Sequence, residues 1–278
     1  MQGVIDFVKM EGAGNDYVYI DAIREPIDLR TAPDLARQVA DRHFGVGGDG
    51  LIVLAASAVA DVAMLMWNAD GSAGAMCGNG VRCLAKLARD HGHVTADTLT
   101  VETAAGVKAV DLLLKDGEVV GARVGMGVVQ VATTPATLDL GGQRYAYFKA
   151  DAGNPHAVVF VDEDPREVPV HEIGAAIQDL PEFVDGVNVE VVQVRGDGSI
   201  MQRTFERGSG ETLACGSGAT AVACVAVELG KVPGPQVHVD LLGGRLVIQC
   251  DDTGASMEGP ARTVFRGQIG GVASKPPL

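Results

Sequence analysis

Short β-rich runs bounded by Gly, Pro or Asp make up most of the chain, and two longer stretches stand apart because their apolar residues recur at helical spacing. In the first, Val81, Leu84, Ala85, Leu87 and Ala88 follow Cys77, and the run stops at His91-Gly92. In the second, Ala219, Val222, Ala223, Val225, Ala226 and Leu229 follow Cys215, and the run stops at Gly230 ahead of Pro233. The second stretch is apolar almost all round, which predicts a helix at the centre of its domain, wrapped by strands such as 237–242 and 245–250. Subsidiary helices are expected over 32–42 and 173–180.

The two cysteine-led stretches sit in matching contexts. Gly14-Asn15 leads into Tyr17-Val18-Tyr19-Ile20-Asp21, and Gly153-Asn154 leads through Pro155-His156 into Val158-Val159-Phe160-Val161-Asp162. Gly48-Asp49-Gly50-Leu51-Ile52-Val53 is echoed by Gly186-Val187-Asn188-Val189-Glu190-Val191, and AMCGNG by ACGSG. The offsets are 139, 138 and 138 positions, so three blocks recur in one order at nearly one spacing. The chain therefore reads as two homologous halves. The change of domain is placed near Gly121 to Gly127, giving domains 1–122 and 123–263, with 264–278 expected to return to the first as a strand.

Length and composition agree with two α/β domains: 278 residues, 47% hydrophobic, 21% charged, with 37 glycines that predict many tight turns. A formal charge of -14, with no Lys/Arg-rich run, excludes nucleic acid as the expected partner. The N-terminal MQGVIDFVKMEGAGND has no basic segment leading into an apolar one, and nothing approaches the ~18 apolar residues of a membrane span. A cytoplasmic location follows as the expectation, and with it five reduced cysteines rather than a disulfide framework.

A cysteine opening a helix faces unsatisfied N–H groups and the positive end of the dipole, which stabilise a thiolate and can lower its pKa below the free value of ~8.5. The same N–H groups would hold a carboxylate. Cys83, Cys224 and Cys250 fall inside helix or strand patterns and read as small buried hydrophobes. A redox dithiol would use Cys-x-x-Cys and zinc would want more ligands at short spacing; neither pattern is present around Cys77 and Cys215. A two-base racemase or epimerase explains the duplication itself. A thiolate on one face of an α-carbon removes its proton, a thiol on the other returns one, and helix ends hold the carboxylate as charge develops.

The motifs GAGNDYVYID, RHFGVGGDG, WNADGSAGAMCGNGVRC, GNPHAVVF, DGVNVEVV, FERGSGETLACGSGATA and MEGPARTVFRG span essentially the whole chain, and through them it resembles diaminopimelate epimerase. The resemblance implies two pseudo-symmetric α/β (α+β) domains, each a mixed β-barrel-like sheet around a central helix, with the active site in the cleft between them. It implies cofactor-independent conversion of LL- to meso-diaminopimelate, serving lysine and cell-wall precursor biosynthesis, with Cys77 and Cys215 as the two bases. Gly78, Asn79, Gly216 and Ser217 would hold the reacting carboxylate. Asn15, Asn68, Asn154, Asn188 and Arg207 would bind substrate, and His156 and Glu206 would tune the thiols, Glu206 also touching substrate. Arg207 suits a remote carboxylate because its guanidinium grips one in a fork.

Some relatives carry Gln at the position of Gly50, so a substrate contact there is in question, and Ala75 stands where an acidic residue is common. No Schiff-base lysine sits in a phosphate-cradling context, so no cofactor and no metal are expected, and a homodimer is compatible with the resemblance. Two alternatives stay open: another cofactor-independent racemase of this fold, acting on proline, hydroxyproline or a different amino acid, and a non-catalytic amino-acid-binding or thiol-sensing protein on the same scaffold.

Overall fold

The computed structural model describes residues 4–270, which fold into two compact units, one reaching to Val124 and resuming at Pro260, the other Gly125–Gly259. The expected limits, 122/123 and 263/264, lie within four residues of these. No loop marks either change of unit, since both limits fall inside strands, Glu118–Gly127 and Gly254–Pro260, and the return strand starts at Arg262. Residues 1–3 and the end of the expected return segment, 271–278, lie outside the described residues.

The first unit is built from β1 (Ile5–Gly12), β2 (Asn15–Asp21), α1 (Ala32–Ala40), β3 (Gly50–Ala55), β4 (Val62–Asn68), β5 (Ala73–Gly74), α2 (Gly78–Asp90), β6 (Thr98–Thr103), β7 (Gly106–Lys115) and β8 (Glu118–Gly127). The second contains β9 (Gln130–Val131), β10 (Ala136–Leu140), β11 (Gln143–Asp151), β12 (Pro155–Phe160), α3 (Val170–Gln178), β13 (Asn188–Val194), β14 (Ile200–Glu206), β15 (Gly210–Thr212), α4 (Gly216–Glu228), β16 (Gln236–Leu241), β17 (Gly244–Asp251) and β18 (Gly254–Pro260). The last strand, β19 (Arg262–Ile269), pairs with β1.

In the first unit the strands lie in the order β19-β1-β2-β3-β4-β6-β7-β8, antiparallel except for β2–β3 and β4–β6. In the second the order is β10-β11-β12-β13-β14-β16-β17-β18, antiparallel except for β12–β13 and β14–β16. A parallel pair needs a crossover, and the four crossovers contain α1, α2, α3 and α4 respectively. Helix starts at 32 and 170, and at 78 and 216, repeat the 138-position offset, and so does the strand register, Val62 opposite Val101 and Ile200 opposite Val239. The duplication visible in the sequence is thus a duplication of topology.

Each sheet is covered on both faces. In the first unit α2 packs on β1, β2, β3 and β7, while Leu35, Ala36 and Val39 of α1 close the other face over Phe7, Val18, Ile20, Leu51 and Val53. In the second, α4 packs on β12, β13 and β17, and Val170, Ile173 and Ile177 of α3 pack with Tyr147, Val159, Val189 and Val191. This double cover is why β3 reads as the continuous apolar run GLIVLA rather than an alternating one. Thr220, the fully buried hydroxyl of α4, donates to its own helix at Gly216 O, 2.9 Å away, so an almost wholly apolar helix stays satisfied.

Three helix boundaries depart from expectation, the first being the end of α3 at Gln178 rather than 180, because Leu180, ahead of Pro181, is extended (ψ 139°). α1 stops at Ala40, not 42, because Asp41 leaves the helical region and its carboxylate accepts the N–H groups of His43 and Phe44. α3 starts at Val170, before 173, directly after Pro169, whose missing N–H costs nothing at a helix entry.

Candidate active site

Cys77 and Cys215 stand one residue before α2 and α4, as N-caps, with nearly the same backbone angles (φ -130°, ψ 115° and φ -125°, ψ 110°). Each sulfur accepts the N–H three residues on, from Gly80 and Gly218, at 3.4 Å. A thiol sulfur therefore occupies the place that a Ser or Asp oxygen usually takes at an N-cap. The first-turn N–H groups that lack intrahelical acceptors belong to Gly78 and Asn79 in one unit and to Gly216 and Ser217 in the other. Asn79 is buried, and its side-chain Oδ1 has no hydrogen-bond partner among the described residues.

The two glycines behind the sulfurs admit different neighbours. A Cβ on Gly80 would lie 2.6 Å from Ile52 Cδ1, and one on Gly218 would lie 2.5 Å from Glu190 Oε1. Ile52 and Glu190 are equivalent positions of the repeat, so a methyl group backs one thiol and a carboxylate the other.

Around Cys77, the Asn15 Oδ1 accepts the thiol proton at 3.0 Å, and Asn15 Nδ2 donates to Asp49 Oδ2 at 2.5 Å. Asp49 also accepts the N–H of Asp16 at 2.9 Å and pairs with Arg42 at 3.1 Å. With its donor end engaged by Asp49, the Asn15 amide is held with its oxygen toward the sulfur. Burial, followed by the charge of Asp16, pushes the Asp49 carboxyl up. Burial also pushes the Tyr17 phenol up, with Cys77 and Asp49 acting in the same direction. Asn68, at the end of β4, hydrogen-bonds within its own turn, to Ser72 Oγ at 2.9 Å. At Gly50 a Cβ would lie 2.1 Å from the Trp67 carbonyl oxygen, so this backbone admits no side chain there.

Around Cys215, burial pushes the thiol well above its ordinary range, and the charges of Glu206 and Glu190 add to the effect. Ser217 Oγ, 3.6 Å from the sulfur, and the Gly218 N–H oppose it and are outweighed. Glu190 and His156 are fully buried and meet at 2.9 Å between Oε1 and Nδ1, while His156 Nε2 lies 3.1 Å from Asn154 Oδ1. Glu190 Oε2 has no hydrogen-bond partner among the described residues. Glu206 Oε1 accepts from Thr212 Oγ1 at 2.5 Å. Asn188 Oδ1 accepts the backbone N–H of Arg207 at 2.9 Å, and Arg207 Nη1 donates to Asp185 O at 2.6 Å. In this strongly acidic chain Arg207 is exposed, and no carboxylate among the described residues forms an ion pair with it.

The structure thus brings Asn15, Asn79 and Cys77 together in one unit, and Asn154, His156, Asn188, Glu206, Arg207, Ser217 and Cys215 in the other. His156 makes its hydrogen bonds to Glu190 and Asn154, so any influence on a thiol runs through Glu190. Glu190, Tyr17 and Asp49 are absent from the sequence-derived set. The signal that finds the first two is a position-by-position comparison of the halves, in which Tyr17 faces His156 and Ile52 faces Glu190. Cys83 is also buried, which pushes it up to about 12 and leaves it a neutral packing residue at ordinary pH.

A family profile described as diaminopimelate epimerase matches residues 7–132 and 148–264. Diaminopimelate epimerase of Leptospira biflexa serovar Patoc is 42% identical over 280 residues, covering 95% of this chain and 99% of that protein. The protein of the same name from Desulfovibrio desulfuricans is 44% identical over 289 residues, covering 96% and 99%. Among solved structures, a hydroxyproline epimerase from Agrobacterium vitis with bound trans-4-hydroxy-L-proline superposes with a TM-score of 0.73 at 17% identity, covering 99% of this chain and 93% of that one. A phenazine biosynthesis protein of the PhzF family from Bacillus anthracis gives 0.75 at 16% identity, covering 96% and 99%. At these identities the structural likeness is one of fold. Among the described residues no helix is long and apolar enough to cross a membrane.

Proposed function

The chain belongs to the diaminopimelate epimerase family, and on that premise we propose that it interconverts LL- and meso-diaminopimelate with Cys77 and Cys215 acting on opposite faces of one α-carbon. The observation that carries this reading is the pair of cysteine N-caps, alike in backbone angles and in the N–H that each sulfur accepts. A single reactive thiol would not require that twinning.

In the forward step one sulfur, as thiolate, takes the α-proton, and the electron pair of the broken C–H bond passes to the α-carbon and its carboxylate. The opposite thiol then gives its proton to the other face. The enzyme ends with the two protonation states exchanged, and proton exchange with water or reverse turnover restores them. Burial and the carboxylates of Glu206 and Glu190 favour Cys215 as the thiol, the proton donor, which leaves the role of base to Cys77 in that direction once its proton has left the Asn15 oxygen that it faces. For the reverse reaction the roles change over.

The N–H groups at the starts of α2 and α4 are fixed donors for the α-carboxylate, whose negative charge grows as the proton leaves. Asn79 Oδ1, buried without a partner, is an acceptor of the kind that the α-ammonium group would satisfy. Arg207, tethered through Nη1 to Asp185 O, keeps its remaining donors for the distal carboxylate, next to the amide of Asn188. Glu190 acts as a positioning residue: it touches no substrate, fixes the ring of His156 and sets the charge behind Cys215.

The test is turnover of LL-diaminopimelate by the purified protein with no added cofactor, run beside proline, trans-4-hydroxyproline and alanine. Inversion of diaminopimelate at a kcat/KM far above the others is expected. Preference for a proline would move the chain to a different racemase activity on the same fold, and binding without turnover would make it a non-catalytic binder.

A further inference from the structure

Far along α2 from its cysteine, the C-terminal end of that helix carries a second cluster of ionisable groups that epimerisation does not use. His91 is the C-cap, Gly92 takes the left-handed conformation (φ 78°), and the N–H of His93 turns back to Ala88 O at 2.9 Å. That reversal brings both imidazoles onto Asp21, the last residue of β2. Asp21 Oδ2 lies 2.7 Å from His91 Nδ1 and 2.7 Å from His93 Nε2. Its other oxygen, Oδ1, accepts the backbone N–H groups of Ile23 and Arg24 at 3.1 and 3.2 Å, which fixes the carboxylate with Oδ2 toward the rings.

We propose that Asp21, His91 and His93 form a binding site for a borderline first-row divalent cation of the zinc type, with water completing the coordination. The three ligand atoms lie within 4.8 Å of one another. Two imidazoles and a carboxylate are the donor set such ions take, with metal–ligand bonds of ~2.0–2.2 Å, so small ring rotations seat the ion among the three. The carboxylate already has the backbone hydrogen bonds that hold a ligating group in place. A cavity of about 490 Å³, whose wall includes Asp21, His91 and Glu25, gives a path to the site, although the side chains are largely covered, Asp21 8% and each histidine 15% exposed. Binding needs no net proton release from neutral rings, because the proton leaving His91 Nδ1 is replaced by one at Nε2, and that leaving His93 Nε2 by one at Nδ1. Arg24, whose Nε lies 3.7 Å from Asp21 Oδ2 and whose Nη2 donates to His91 O at 2.7 Å, is the competing cation and lowers the affinity.

The five thiols of the chain are rival ligands, so the probe must tell sulfur from nitrogen and oxygen. Co2+ does so, since thiolate ligation adds a charge-transfer band that imidazole and carboxylate do not. Titration of the full-length protein with Co2+, and competition by Zn2+, should give one site per chain at micromolar metal without that band. His93→Ala and Asp21→Asn should each weaken it at least ~100-fold. Cys77→Ala/Cys215→Ala should leave it intact, with circular dichroism confirming the fold of every variant. Asp21→Asn retains the shape and a hydrogen-bond acceptor, so it tests the ligand role even where His93→Ala disturbs the helix end. The proposal is overturned by Co2+ binding that survives His93→Ala or Asp21→Asn, by binding lost with the cysteines, or by none at micromolar metal, in which case the cluster is a hydrogen-bonded helix terminus only.

Discussion

Replacing Glu190 by Gln removes a charge from behind Cys215 while keeping an oxygen that accepts from His156 Nδ1. A Cβ built on Gly218 lies 2.5 Å from Glu190 Oε1 and 3.2 Å from Cys215 Sγ, which puts oxygen and sulfur no more than 5.7 Å apart. At an effective dielectric constant of ~20, a unit charge at that distance raises the cost of a thiolate by about 3 kcal/mol. The Ser217 hydroxyl and the Gly218 N–H, which face the sulfur, screen part of this, so about half of it, about 1.4 kcal/mol, is the working figure. At a pH below the titration of Cys215, the thiolate fraction in Glu190→Gln should therefore rise about tenfold, with about 100-fold as the ceiling. Nucleophilicity falls as a thiol becomes more acidic, with a Brønsted slope of ~0.4–0.5, so the alkylation rate should rise only about threefold to tenfold. The assay is iodoacetamide labelling of Cys215 against pH, followed by peptide mass spectrometry in a Cys77→Ala background. The midpoint of the profile should move to lower pH, and the stability loss should be about 1 kcal/mol, as a charge-assisted hydrogen bond becomes a neutral one. An unchanged or slower profile in a folded variant would refute the electrostatic link between Glu190 and Cys215.

Arg207→Lys loses both the tether to Asp185 O and the fork for the distal carboxylate, a cost of about 2 kcal/mol or roughly 30-fold in kcat/KM for diaminopimelate; steady-state kinetics should show this loss with no matching effect on alanine, which is too short to reach the residue. Arg203→Ala breaks a two-pronged pair with Glu211, at 2.5 and 2.8 Å, and should cost about 2–3 kcal/mol at neutral pH by urea denaturation. Arg203 holds the Glu211 carboxyl below its ordinary range, so that stabilisation is complete above the unfolded carboxylate pKa and is lost as pH falls through the folded value; the gap between wild type and variant should narrow in acid, leaving the part due to the Arg203 bonds to Pro165 O and Val168 O. Gly218→Ala should destabilise more than Gly80→Ala, because its Cβ meets a buried carboxylate and the sulfur, whereas the Cβ at Gly80 meets chiefly the Ile52 Cδ1 methyl and lies 3.6 Å from the Cys77 sulfur; paired denaturant melts decide the order.

The duplication, both central helices and the placement of the cysteines at helix starts were legible because each leaves a periodic or repeated trace in the chain. Glu190 left none. In NVEVVQV a single Glu reads as the solvent face of a strand, and only the packing of α4 over β13 turns that face inward. The convergence of Asp21 with His91 and His93 was hidden by a separation of 70 positions and by a helix terminus whose direction depends on the left-handed Gly92. The early start of α3 was obscured because Val170-His171-Glu172 after a proline looks like loop until Val170 is seen buried against β13. Gly50 shows the opposite limit: a departure that looks like a lost substrate contact is a position where the pairing of β3 with β4 leaves no room for a side chain.

The central claim is that two thiols serve opposite faces of one carbon, and the first turnovers of LL-diaminopimelate in D2O test it most directly. Both thiols exchange with solvent, so the meso product should carry deuterium at the inverted carbon from the earliest conversions while the unreacted LL pool keeps its protium. Neither Cys77→Ala nor Cys215→Ala should form product. Protium retained in the product, label entering the LL pool faster than inversion, or inversion surviving the loss of either cysteine would contradict the two-base account.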